Sequence, residues 1–138
     1  MNQLNILLVE DNDDDIFLMR RALRKTSLTC PLQVVTDGQQ ALDYLKGLEK
    51  YANRFTYPLP DVIFLDLKLP YVHGFDVLAW IRQKSPMKEL PVIVLTSSAE
   101  DRDHKRAAEL RVKSYLVKPP TGAMLLEALQ ACAQLLAA

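Results

Sequence analysis

Apolar residues in this chain fall into short unbroken runs. Between the runs lie longer stretches in which they recur at every third or fourth position. Ile6-Leu7-Leu8-Val9, Leu32-Gln33-Val34-Val35, Val62-Ile63-Phe64-Leu65, Val92-Ile93-Val94-Leu95 and Ser114-Tyr115-Leu116-Val117 read as strands. Most are apolar at every position, as strands buried on both faces of a parallel sheet are. The first helical stretch is capped by Asn12, with Asp15 three residues on and Asp13 and Asp14 at the positive end of its dipole. It is predicted to run to about Ser27, with Ile16, Met19 and Leu23 on one face. The second begins at Asp37, where Gln40 suggests a capping box, and buries Ala41, Leu45 and Leu48. The third opens at Gly74, turns Val77, Trp80 and Ile81 inward and ends before Pro86. The fourth, 99–110, is very polar, and Thr121 caps the last.

Strand and helix alternate five times, which means a parallel sheet with helices on both faces, an α/β fold. Segment 46–60 is longer than the usual two to six residues between a helix and a strand. It carries Tyr51, Phe55 and Tyr57, and is expected to mix an extension of the helix with a loop that packs its own aromatics. There is no repeat, low-complexity tract or linker, so the 138 residues are read as one domain.

Composition narrows the function. Apolar residues are 49 % and charged residues 25 %, and the net charge is zero, so nothing suggests a nucleic-acid footprint. No apolar run reaches the roughly 18 residues of a membrane span, and Met1-Asn2-Gln3-Leu4-Asn5 lacks a basic region before an apolar one, so no signal peptide is expected. Cys30 and Cys132 lie far apart and read as reduced packing residues of a cytoplasmic protein.

The polar residues at the ends of the strands carry the chemistry. Glu10 and Asp11 follow the first strand, Asp66 the third, Thr96 the fourth and Lys118 the fifth. In a parallel sheet these ends share one edge, where open α/β sheets bind ligands. Carboxylates from Asp11 and Asp66 suit Mg²⁺. Lys118 supplies a point charge for a phosphoryl group, and Thr96 a hydroxyl. Together they are equipped for phosphoryl transfer onto the Asp66 carboxylate.

On these residues the chain resembles a response-regulator receiver domain of the chemotaxis-regulator type. The resemblance rests on Ile6-Leu7-Leu8-Val9-Glu10-Asp11-Asn12, on 66–70 with Gly74, on 91–97, and on Tyr115-Leu116-Val117-Lys118-Pro119, and it covers essentially the whole chain. It implies a flavodoxin-like, doubly wound (βα)5 fold and a response regulator of a two-component phosphorelay. Asp66 would be the phosphoacceptor, fed by a phosphohistidine of a sensor kinase. Mg²⁺ would be held by Asp11, Asp66 and the backbone carbonyl of Lys68, with Glu10 acting through water. Thr96 and Lys118 would meet the phosphoryl oxygens, Tyr115 would reorient with Thr96, and the Lys118–Pro119 bond would be cis. Beyond slow reactions of its own phosphoryl group, no enzymatic turnover is implied. With one helix after Lys118, no output domain is expected. The long segment before the central strand is similar to that of single-domain receivers that partner bacterial phytochrome kinases.

Lys68 and Ser98 stand at variable positions bordering the phosphoryl group, Pro120 replaces a common aromatic, and His73 reads as a surface residue. A haloacid-dehalogenase-type hydrolase would want a second aspartate where Lys68 stands. A phosphate-blind binding module would not need every acidic, hydroxyl and lysine position. A flavodoxin-like cofactor binder would need a phosphate-cradling loop where Glu10 and Asp11 stand. Two further expectations concern signalling. Helix 99–110, whose inward residues are few and small, chiefly Ala99, Ala107, Ala108 and Leu110, is expected to be the mobile part of the switch. The last helix has stripes Leu125, Leu129, Cys132, Leu136 and Met124, Ala128, Ala131, Leu135, widened by Leu126 and Ala133. Its apolar arc of roughly 220° exceeds the roughly 100° that packing on a sheet needs, so it is expected to form a homodimer surface beside an unknown downstream partner.

Overall fold

A computed structural model describes residues 4–137, with side chains described as far as Ala133. Leu135 and Leu136 of the predicted C-terminal stripes therefore lie outside the described side chains, and Met1-Asn2-Gln3 outside the described residues. The elements are β1 (Ile6–Val9), α1 (Asp13–Arg24), β2 (Leu32–Val35), α2 (Gly38–Lys46), β3 (Val62–Leu65), α3 (Gly74–Gln83), β4 (Val92–Thr96), α4 (Asp101–Glu109), β5 (Ser114–Val117) and α5 (Gly122–Ala137). The sheet runs β2-β1-β3-β4-β5, and every pairing is parallel.

Side chains of a strand alternate between faces, and the two faces make two cores. Leu7, Val9, Ile63, Leu65, Val92 and Val94 pack with Ala41, Leu45, Val77, Leu78, Ile81 and Ala107. Ile6, Leu8, Val62, Phe64, Ile93 and Leu95 pack with Met19, Leu23, Leu125, Leu129 and Cys132. Consecutive apolar residues of the three central strands β1, β3 and β4 are therefore all buried, neighbours lying under opposite helical layers, whereas the edge strands β2 and β5 are only partly covered.

Several local expectations need correction. The first helix stops at Arg24, and Ser27 takes a positive φ of 65°. Leu48 is exposed, because Gly47 ends α2 in the left-handed region at φ 71°; Tyr44 fills the buried face instead. Segment 46–60 does not extend α2. It forms one 3-10 turn, Glu49–Ala52. Tyr51 and Tyr57 pack on Tyr44 with ring centroids 4.9 and 6.1 Å away, whereas Phe55 is 99 % exposed. Arg54 holds the segment to the end of α2 by donating to the carbonyls of Tyr44 at 2.8 Å and Leu45 at 3.1 Å. Trp80 is only half-buried. The fourth helix begins at Asp101 rather than Ala99, and Ala99 and Ala108 are exposed.

Three predicted caps are present. Asn12 accepts from the Asp15 N–H at 2.9 Å, Asp37 from the Gln40 N–H at 2.7 Å and Thr121 from the Met124 N–H at 3.1 Å. The Lys118–Pro119 bond is cis. Met124 and Leu126 on α5 are half-buried, while Leu125, Ala128, Leu129 and Cys132 are fully buried. No helix among the described residues is long and apolar enough to cross a membrane.

Candidate functional site

The register of the sheet sets the first members of the site side by side. Val9 pairs with Leu65, so Glu10 and Asp66 each follow immediately after a paired residue on adjacent strands. The Asp66 N–H continues the ladder to the Val9 carbonyl at 3.1 Å. On the far side, Thr96 pairs with Val117, and the Lys118 N–H donates to the Thr96 carbonyl at 2.8 Å. The order in which strands are added to the sheet reverses between β1 and β3, the switch point where open parallel sheets bind ligands.

Lys118 Nζ lies at the centre. It is 2.6 Å from Glu10 Oε1, 2.9 Å from Asp66 Oδ2 and 2.9 Å from Asp15 Oδ2. The other oxygen of each inner carboxylate is held by backbone: Asp66 Oδ1 accepts from the Lys68 N–H at 3.1 Å and Glu10 Oε2 from the Asn12 N–H at 3.2 Å. Burial pulls the Lys118 ammonium pKa down, but hydrogen bonds to Glu10, Asp15 and Asp66 outweigh it and hold the lysine above its ordinary value. Burial raises the Glu10 carboxyl, against the lysine and the Asn12 N–H. Carboxylate oxygens of Glu10, Asp11 and Asp66 lie within 4.8 Å of one another, Asp11 being the exposed member. Three hard oxygen donors so close fit a small divalent cation, which takes a few carboxylates and keeps water on its remaining positions.

The approach of Gly74 shapes this loop. A Cβ there would lie 2.4 Å from the Asp66 carbonyl oxygen and 2.6 Å from Leu67 Cα, so α3 can start against the Asp66 backbone only with glycine at its first position. His73, exposed as expected, caps that helix by accepting from the Phe75 N–H at 3.1 Å.

Thr96 ends β4 fully buried, and its hydroxyl oxygen accepts from the Ser98 N–H at 3.4 Å. Tyr115 reaches across from β5 and donates to the Ser98 carbonyl at 2.9 Å, with its ring stacked on His104 at 3.7 Å between centroids. Burial raises the Tyr115 phenol above its ordinary value. Ser98 is buried and its hydroxyl donates to Asp103 at 2.6 Å.

The family model described as the response regulator receiver domain matches residues 6–130. The chain belongs to that family. It is a receiver of two-component signalling, built on the flavodoxin-like fold. Among its relatives, it is 42 % identical over 114 residues to the probable methanogenesis regulatory protein FilR2 of Methanothrix harundinacea, covering 83 % of this chain and 71 % of that one. It is 39 % identical over 113 residues to the response regulator Rcp1 of Synechocystis, covering 82 % and 75 %. The bacteriophytochrome response regulator AtBRR superposes with a TM-score of 0.83 at 40 % identity, over 96 % of this chain and 94 % of that one. The Mn²⁺-bound form of Rcp1 superposes with a TM-score of 0.77 at 36 % identity, over 93 % and 90 %.

Within this receiver, Glu10, Asp11, Asp66 and Lys118 come together as the strand ends suggested, and Thr96 and Tyr115 meet through Ser98. Asp15 was legible in the sequence only as an acid in the first turn of α1. One helical turn beyond Asn12, its side chain faces back over the sheet edge, and the periodicity of α1 is the signal that could have placed it there. Asp103 and His104 were not singled out in the very polar fourth helix, yet Asp103 accepts from the Ser98 hydroxyl and His104 stacks on Tyr115.

Proposed function

We propose that Asp66 accepts a phosphoryl group from the phosphohistidine of a sensor kinase. The Asp66 carboxylate forms the new oxygen–phosphorus bond as the bond from phosphorus to the kinase imidazole breaks, the imidazole nitrogen keeping the electron pair. The observation that carries this reading is the buried Lys118 ammonium on Asp66 Oδ2. Phosphorylation places about two negative charges where one stood, and a fixed cation already faces the acceptor. Lys118 and Thr96 would meet the phosphoryl oxygens. Asp11, Asp66 and the Lys68 carbonyl, with Glu10 through water, would hold Mg²⁺, which supplies charge neutralisation when bound. The chain's own work is to aim Asp66, through the Lys68 N–H and Lys118, at the incoming phosphorus.

The role is signalling rather than turnover. Apart from acquiring and slowly losing its own phosphoryl group, the chain would transform no substrate. Similarity to bacteriophytochrome response regulators favours a phytochrome as the kinase, and such a partner places the exchange in the cytoplasm. The 138 residues would act as one receiver unit. The switch would run from Thr96 through Ser98 and Tyr115 into α4, of which only Ala107 is fully buried, so that helix is the easiest to displace. Homodimerisation would use the β5–α5 edge. Its support is a half-buried apolar strip in which Leu116 of the edge strand lies with Met124 and Ala131 of α5, and the downstream partner would read the resulting surface.

Mixing the protein with Mg²⁺ and a labelled small phosphodonor should give one aspartyl-phosphate linkage per chain. Asp66→Asn should abolish it. Equal labelling of wild type and Asp66→Asn, at a linkage of the same lability, would show that the acceptor lies elsewhere.

A further inference from the structure

Lys118 has three N–H donors and three carboxylates to receive them: Glu10, Asp66 and Asp15. The lysine is thus fully engaged before any phosphoryl group arrives. The three partners are not equivalent. The Glu10 side chain is 1 % exposed, so releasing it would strand a buried charge. Asp66 is the group to be modified. Asp15 is 30 % exposed and sits on the first turn of α1, outside the sheet edge, where water can replace the ammonium.

We propose that Asp15 is a positioning residue that competes with phosphorylated Asp66 for the ammonium of Lys118, and so lowers the receiver's affinity for a phosphoryl group. The inference rests on Asp66 being the acceptor. The phosphoryl oxygens lie beyond the Asp66 carboxylate and present more charge, so the lysine must shift outward to serve them. Asp15 holds it back in two ways. It occupies one of the three donors, and its own charge adds to those of Glu10, Asp11 and Asp66 facing the incoming group. Both effects have the same sign, so losing the Asp15 charge should favour the phosphoryl-bound state. Asp14 is the natural comparison: it is an exposed acid on the same first turn with no contact to Lys118 among the described residues.

The test is calorimetric titration of the full chain with beryllofluoride, a phosphoryl mimic, at fixed Mg²⁺. Asp15→Asn should bind it about three- to fivefold more tightly than wild type, the scale of a partly exposed ion pair. Asp15→Ala should do the same, Asp15→Glu should return towards wild type, and Asp14→Asn should stay within about twofold of wild type. Binding to Asp15→Asn that is unchanged or weaker overturns the proposal, as does an equal tightening in Asp14→Asn. A wild type that binds no beryllofluoride, and takes no label on Asp66, refutes the acceptor reading itself. That outcome is separate from a wild type that binds while Asp15→Asn binds no better.

Discussion

Substituting Lys118 by methionine removes one cation and leaves its stem volume in place. The lysine side chain is 10 % exposed and its tightest partner, Glu10, only 1 %. Removing one partner of a buried ion pair costs about 3–5 kcal/mol, because the remaining charge stays out of water. Here two buried carboxylates, Glu10 and Asp66, lose their cation together, while the outer pair with Asp15 contributes at most about 1 kcal/mol. The loss has a ceiling. Glu10, already raised by burial, can take up a proton and discharge the site. Near neutral pH the expected destabilisation is therefore about 3 kcal/mol. The carboxylates freed in the variant should also hold Mg²⁺ more tightly than those tied to the lysine. Ligand at about a hundred times its dissociation constant adds about 2.7 kcal/mol of stability, so Mg²⁺ should restore most of the loss. Urea denaturation of both proteins, with Mg²⁺ and with chelator, reads both quantities. A variant within about 1 kcal/mol of wild type in chelator, or one that gains no more from Mg²⁺ than wild type does, would refute the reading that the Lys118 ammonium offsets the buried charges of Glu10 and Asp66.

Three other outcomes follow from the packing. Gly74→Ala should cost about 1–3 kcal/mol and slow phosphotransfer by about tenfold or more, since its Cβ would push on the Asp66 carbonyl at 2.4 Å; denaturation and labelling rates check this. Arg82 is buried and donates to the carbonyls of Leu90 at 2.7 Å, Leu110 at 2.8 Å, Lys88 at 3.0 Å and Arg111 at 3.1 Å. Arg82→Met should cost about 3 kcal/mol by leaving them unpaired, and Arg82→Lys should recover less than half because it lacks the planar fork; urea midpoints decide it. Burial raises the Tyr44 phenol from 10.0 to about 12, against the nearby Arg54 guanidinium. Its stabilisation is complete below pH 10 and is lost as pH rises through 12, at about 1.4 kcal/mol per pH unit in that window. Tyr44→Phe should be about 1 kcal/mol less stable at pH 8, from the lost hydrogen bond to the Pro58 carbonyl at 2.8 Å. That deficit should vanish or reverse at pH 11 in parallel denaturation curves.

The order of elements, the parallel sheet and the place of Asp66 at the sheet edge were legible in the sequence because each is encoded by neighbouring residues. Val62-Ile63-Phe64-Leu65 can be buried on both faces only in such a sheet, and the carboxylate that ends the run must then stand at its rim. The caps at Asn12, Asp37 and Thr121 are likewise three-residue relationships. What joins distant parts of the chain could not be read that way. Leu48 continues the spacing of the second helix, but a left-handed Gly47 and the docking of Arg54 end that helix before Leu48 can be buried. Ser98 reads as a neighbour of the phosphoryl site until α4 brings Asp103 to its hydroxyl. Asp15 and Lys118 are 103 residues apart, and each alone is an ordinary solvated charge. Only the tertiary structure, by laying the first turn of α1 over the same sheet edge as the end of β5, makes them a pair, because an ion pair depends on distance in space and burial, and sequence spacing reports neither across separate elements.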